Sequence, residues 1–249
     1  MVYQGSKNRL AKFLVPIIQK YIDDNNIKTY IEPMVGGANL IDKIKCDKRI
    51  GADINEELVT LLKYAQTDNS LSIAPEVCTF EHYAEVREDR KLGTHKYSPE
   101  YIALIGYMAS YGGRYFDGGF ARNSRSDDRN SSTIKYKNNL NNIREQAPNL
   151  NNIEFMCCDY QNFSDYKNCV FYFDPPYKNT KQYSKQSIDY DSFYDFLRKL
   201  SENNIVLVSE YNMPDDFKCI WQKERKVLQK SDRVTGEKAV EKLFIYSGE

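Results

Sequence analysis

"TYIEPMVGGANLIDKIKCDKRIGADINEEL", residues 29–58, states one pattern twice. Thr29–Ile31 is short, β-branched and aromatic, and reads as a strand. Gly36 and Gly37 follow as a sharp turn, and the apolar spacing beyond them opens a helix. The pattern restarts near Arg49–Asp53, where a second strand ends on an acid and leads into a helix through "EELVTLLKYA". Two strand–turn–helix units within about forty residues are the opening of a doubly wound α/β sheet.

Working outward, "NRLAKFLVPIIQKYI" places Leu10, Phe13, Leu14, Ile17, Ile18 and Tyr21 at helical spacing. Pro16 is expected to kink this helix or end it nearby, because proline lacks the N–H that a helix interior needs. Downstream, the pattern changes between about Ser70 and Leu150. "SPEYIALIGYMASYGG" predicts a helix with Ser98 as N-cap and Pro99 at its first position, ended by glycines. "RYFDGGFARNSRSDDRNSS" is polar, glycine-dotted and arginine-rich, and predicts a loop or small hairpin. Strands return with "IEFMCCDY", "CVFYFDPPY" and "NNIVLVSEY", and "CIWQKERKVL" and "EKLFIYSGE" read as a closing antiparallel pair. The expectation is an α/β sheet domain from residues 1–64 and 149–249, interrupted by a mostly helical insert at 65–148.

The formal net charge is zero, which argues against a generic coat for polyanions. The charge is nonetheless uneven. Residues 1–30 and 111–145 carry a local excess of Lys and Arg, and these are the candidate anion-facing segments. Six cysteines show no CxxC pair, and His82 and His95 lie far from any of them, so neither a metal site nor a disulfide framework is expected. A reducing cytoplasm fits that usage. No window reaches the ~18 apolar residues of a membrane span.

Two stretches carry chemistry. The glycine turn lets backbone come close to a ligand, and an acid at the end of the next strand, Asp53, can accept hydrogen bonds from ribose hydroxyls. There is neither a GxGxxG nor a GK[ST] motif, which disfavours a pyrophosphate cofactor and leaves a nucleoside cofactor without phosphates. The second stretch is Asp174-Pro175-Pro176-Tyr177, at the end of the apolar run "VFYF". Prolines fix the backbone and remove donors, leaving carbonyl acceptors beside the Asp174 carboxylate. Acceptors alone suit an amino group, and the Tyr177 ring suits stacking on a planar base.

The N-terminal "YQGSK", "EPMVGG", "ADIN" and "DPPY", in this chain order, resemble the Dam-type (D12 class) DNA adenine-N6 methyltransferases of bacterial or phage type. The resemblance covers most of the chain. It implies S-adenosylmethionine as cofactor, double-stranded DNA as partner, a flipped target base, and a seven-stranded methyltransferase sheet with a helical target-recognition insert. It further implies cofactor contacts from Tyr3, Lys7, Pro33, Gly36, Gly37, Asp53, Ile54, Asp159, Tyr160 and Asp174. Asp174, Pro175, Pro176 and Tyr177 become the residues that hold the adenine, and Arg114, Arg122, Asn123, Arg125 and Arg129 the DNA contacts. No metal is implied, and a monomer or weak dimer is expected. The insert departs from the GATC-methylating members at the hairpin, so GATC is one candidate site among others. The competing readings are a cytosine-N4 enzyme, which more often has Ser at the position of Asp174, an RNA amino-methyltransferase, and a non-catalytic nucleic-acid-binding protein.

Overall fold

The computed structural model describes residues 1–121, 131–176, 188–225 and 239–248, with backbone alone at 131–133, 225 and 239. Tyr177, Arg122, Asn123, Arg125 and Arg129 lie outside the described residues.

Seven strands form one sheet. They are β1 (Thr29–Glu32), β2 (Lys48–Asp53), β3 (Ile153–Cys157), β4 (Cys169–Phe173), β5 (Ile205–Glu210), β6 (Phe217–Arg225) and β7 (Ala239–Tyr246). Their order across the sheet is β3-β2-β1-β4-β5-β7-β6. β4 lies parallel to β1 and to β5, with Phe171 opposite Ile31 on one side and Val206 on the other. β7 runs antiparallel to both β5 and β6, which is the closing pair expected from the C-terminal sequence. All five residues of β4 are buried. A central strand covered on both faces has no solvent side, so it reads as a continuous apolar run rather than an alternating one.

The helices are α1 (Ala11–Asp24), α2 (Glu56–Thr67), α3 (Phe80–Leu92), α4 (Pro99–Met108), α5 (Ser131–Leu150) and α6 (Tyr190–Ser201). Their starts follow capping chemistry. Asn55 accepts from the Leu58 N–H at 3.1 Å to cap α2, and Ser98 accepts from the Tyr101 N–H at 3.2 Å ahead of Pro99 in α4. α2 buries Leu58, Leu61, Leu62 and Ala65 along one face, and α6 buries Phe193, Leu197 and Leu200. Each such large side chain contributes roughly 1.5–3 kcal/mol of transfer free energy.

One local expectation is corrected: no α-helix opens after Gly36 and Gly37, where the chain forms only a three-residue 3-10 turn, Ile41–Lys43, before β2. At Pro16 the chain does not end α1 but carries the proline inside fourteen helical residues. The proline is the sixth of these, where it forfeits a single intrahelical bond, and the buried Leu14, Ile18 and Ile22 hold the helix on either side of it.

By packing, the chain divides into two compact units. The first comprises Met1–Pro16, Val35–Ile44 and Gly51–Cys158, and the second Ile17–Met34, Lys45–Ile50 and Asp159–Glu249.

Candidate active site

In the first unit the site is built around the glycine turn. Gly36 has φ +49°, in the left-handed region, and a side chain at either glycine would strike its neighbours. A Cβ on Gly36 would lie 3.0 Å from the Tyr3 ring, and one on Gly37 would lie 2.6 Å from Asn39 and 2.8 Å from Tyr3. Both positions therefore require glycine because Tyr3 packs directly on the turn. The backbone is fixed by Val35 N–H donating to the Ala52 carbonyl at 2.8 Å and Ala38 N–H to the Val35 carbonyl at 2.9 Å.

Asp53, at the end of β2, closes this turn. Its carboxylate accepts from the Gly36 N–H at 3.2 Å and from the Asn55 N–H at 3.0 Å. Burial pushes its pKa up, and the N–H donors of Asn55, Gly36 and Ile54 pull against that shift. The net direction is upward. Ile54, the next residue, is 44% exposed.

Lys7 is buried in the same unit, and its carbonyl accepts from the Leu10 N–H at 2.8 Å ahead of α1. Arg114 belongs to a tight glycine-rich turn after α4. There its carbonyl accepts from the Asp117 and Gly118 N–H groups, and Ser110 pairs in a bridge with Phe120.

Two residues not singled out by motif reading also belong here. Gln146 of α5 is buried and donates to the carbonyls of Gly37 and Ala38, at 3.1 and 2.8 Å. Tyr107 of α4 packs its ring on Tyr3, with centroids 6.1 Å apart. The first unit also has a cavity of about 330 Å³ lined by Pro75, Glu76, Lys137, Asn141 and Arg144, among others, which contains none of the candidate residues.

In the second unit, Asp174 directly follows β4, half-buried, with Pro175 buried and Pro176 exposed. The Pro176 carbonyl accepts from the Tyr190 hydroxyl at the start of α6. This contact helps hold the backbone of the segment. Beneath it, Tyr172 of β4 hydrogen-bonds Ser209 of β5 at 2.7 Å, and burial, with Asp174 as the next cause, pushes the Tyr172 pKa up. Pro33 is buried after β1. Asp159 is exposed and caps a short 3-10 turn, accepting from the Gln161 N–H at 2.9 Å. Tyr160, which follows it, packs edge-on against Phe173, Phe193 and Phe196.

The structure thus brings Tyr3, Gly36, Gly37 and Asp53 together in the first unit, and sets Asp174 between a buried strand and two prolines in the second. A family model for D12 class N6 adenine-specific DNA methyltransferases matches residues 3–225. A type II methyltransferase, M.MjaIII of Methanocaldococcus jannaschii, is 25% identical over 244 residues, covering 85% of this chain and 83% of that protein. A DNA adenine methylase of Haemophilus influenzae is 26% identical over 172 residues, covering 64% of this chain and 58% of that protein. The chain belongs to the D12 class of N6 adenine-specific DNA methyltransferases. It is accordingly an enzyme that methylates adenine in DNA. Among the described residues, no helix is long and apolar enough to cross a membrane.

Proposed function

We propose that the chain transfers a methyl group from S-adenosylmethionine to the N6 amino group of an adenine flipped out of double-stranded DNA, with Asp174 as the catalytic acceptor. The observation that supports this most strongly is the placement of Asp174 at the end of the wholly buried β4, on a backbone stiffened by Pro175 and Pro176.

The donor set fits the cofactor. Asp53 is an acceptor held by backbone N–H groups, those of Gly36 and Asn55 among them, with further lone pairs for ribose hydroxyls, and the exposed Ile54 offers an apolar surface to a purine. Gly36 and Gly37, with Tyr3 and the buried Lys7, are assigned to the methionyl part, and Pro33, Asp159 and Tyr160 to the adenine end. S-adenosylmethionine supplies an electrophilic methyl group on a sulfonium sulfur.

The protein's part in the chemistry is orientation and charge. The exocyclic amine of adenine is a poor nucleophile because its lone pair is delocalised into the ring. Asp174 and the Pro175 carbonyl accept its two hydrogens, favour a more tetrahedral nitrogen and stabilise the positive charge that develops on it. No strong base is needed before the attack, since the alkylated nitrogen is acidic and its proton can leave afterwards. Tyr177 is assigned to stacking on the flipped base, whose extrusion costs about a few kcal/mol. Arg114, Arg122, Asn123, Arg125 and Arg129 of the insert, residues 65–148, are assigned to DNA. Arg122 and Asn123 are the base readers, and Arg125 and Arg129 bind phosphate.

The test is Asp174→Ala assayed for N6-methyladenine in DNA by nucleoside mass spectrometry. Loss of activity by orders of magnitude in a folded protein is expected. Near wild-type turnover would end the assignment.

A further inference from the structure

The Tyr107 hydroxyl is buried and has no hydrogen-bond partner among the described residues. The residue is 1% exposed. An unpaired buried hydroxyl is costly, and native structures keep few of them without a function or a bound molecule. Packing does not explain its presence. The Tyr107 ring lies between Tyr3, at 6.1 Å, and Tyr115, at 4.8 Å, and a phenylalanine would make both contacts. The oxygen adds a desolvation cost that no described residue offsets.

Its surroundings say what offsets that cost. Tyr3 packs on Gly36 and Gly37, and the amide of Gly36 donates to Asp53. Tyr3, Asp53, Tyr115 and Glu57 are also the groups whose charge acts on the Tyr107 hydroxyl, all within the first unit. Burial first, and then these groups, push its pKa far up, so it keeps its proton and is available as a donor.

We propose that the Tyr107 hydroxyl is a binding contact for the cofactor, donating a hydrogen bond to an acceptor atom of S-adenosylmethionine. This rests on the reading above that the glycine turn and Asp53 hold that molecule. A single buried bond of this kind, left unmade in the free protein and made in the complex, is worth roughly tenfold in affinity.

Tyr107→Phe separates the possibilities, because it removes the oxygen and leaves the ring. Binding of S-adenosylhomocysteine is measured by calorimetry for wild type, Tyr107→Phe and Asp53→Ala, and the melting temperature of each is measured without ligand. The expected result is roughly tenfold weaker binding by Tyr107→Phe, with a melting temperature equal to or above that of wild type. Wild-type affinity in Tyr107→Phe alongside weakened binding in Asp53→Ala would overturn this inference alone. Wild-type affinity in Asp53→Ala would overturn the cofactor assignment, and the inference with it. A clearly lowered melting temperature with unchanged affinity, or a Tyr107→Phe protein that does not fold, would show that the hydroxyl serves the fold, and would overturn the inference too.

Discussion

Asp53 answers to two opposed demands. In the role proposed for it, as an acceptor for ribose hydroxyls, it acts ionised, and burial opposes ionisation. Its raised pKa favours the folded state fully below the ordinary value of 3.8, and that contribution is lost as pH rises through the folded pKa, so at neutral pH the free protein bears the cost of the charge. The same shift makes cofactor affinity fall on acidification from a pH above 3.8, earlier than for an unperturbed aspartate. Calorimetric affinities across the acid range should show this step in wild type and lose it in Asp53→Asn. A wild-type affinity that stays flat until well below 3.8 would contradict the assignment. At neutral pH, Asp53→Ala should cost roughly 1.5–3 kcal/mol of cofactor binding, since a charged acceptor is lost. Asp53 and Asp174 were singled out from the sequence because Asp53 ends the strand that follows the Gly36-Gly37 turn and Asp174 directly precedes Pro175-Pro176. Tyr107 was not legible. It is one of twenty tyrosines, and only tertiary packing shows that its hydroxyl lacks a partner among the described residues.

Among the elements, α5 is tied to the glycine turn. It follows directly on residues 122–130, and sixteen residues along it Gln146 donates to the Gly37 and Ala38 carbonyls. Ala38 has φ +54°, a conformation a non-glycine residue holds only when its surroundings fix it. Gln146→Leu leaves two buried carbonyls without this donor and should destabilise the protein by about 2 kcal/mol or more. Urea denaturation measures it, and a change below about 0.5 kcal/mol, the size of an ordinary surface substitution, would contradict this account. The helix itself escaped the sequence reading. "NNLNNIREQAPNL" is polar around most of its circumference and contains Pro148, so neither periodicity nor composition declared it. α6 escaped as well, although Tyr190, Phe193, Tyr194, Leu197 and Leu200 mark a clear buried face. In contrast, the start of α4 was readable from Ser98-Pro99, because capping is local chemistry, although the helix ends at Met108 with Ala109 as its C-cap, ahead of the glycines expected to end it.

For the molecule as a whole, the strand order is β3-β2-β1-β4-β5-β7-β6, and its antiparallel end, β5-β7-β6, contains the closing pair that the C-terminal sequence implied. Long-range order of strands is not written in local periodicity. The resemblance carried by four motifs in fixed order implied a seven-stranded sheet, but not the order of its strands. Affinity for DNA is assigned to local clusters of Lys and Arg on a chain of zero net charge. Binding should therefore weaken as salt rises, and Arg129→Ala should reduce the slope of log affinity against log salt by about one unit while weakening all sequences alike. Arg122→Ala should instead relax the methylated motif at one position, at a cost of about 1–3 kcal/mol in discrimination. Sequencing of the modified sites in a randomised DNA library distinguishes the two, and an unchanged motif in Arg122→Ala would remove it from the base readers.

The central claim is that this chain methylates adenine N6 in DNA by way of Asp174. The most direct measurement incubates purified wild type and Asp174→Ala with unmethylated DNA and S-adenosylmethionine, and quantifies methylated nucleosides by mass spectrometry. The account predicts N6-methyladenine from wild type, and a folded, cofactor-binding Asp174→Ala protein that forms it orders of magnitude more slowly. N4-methylcytosine as the product, or an Asp174→Ala protein that forms N6-methyladenine at the wild-type rate, would contradict it.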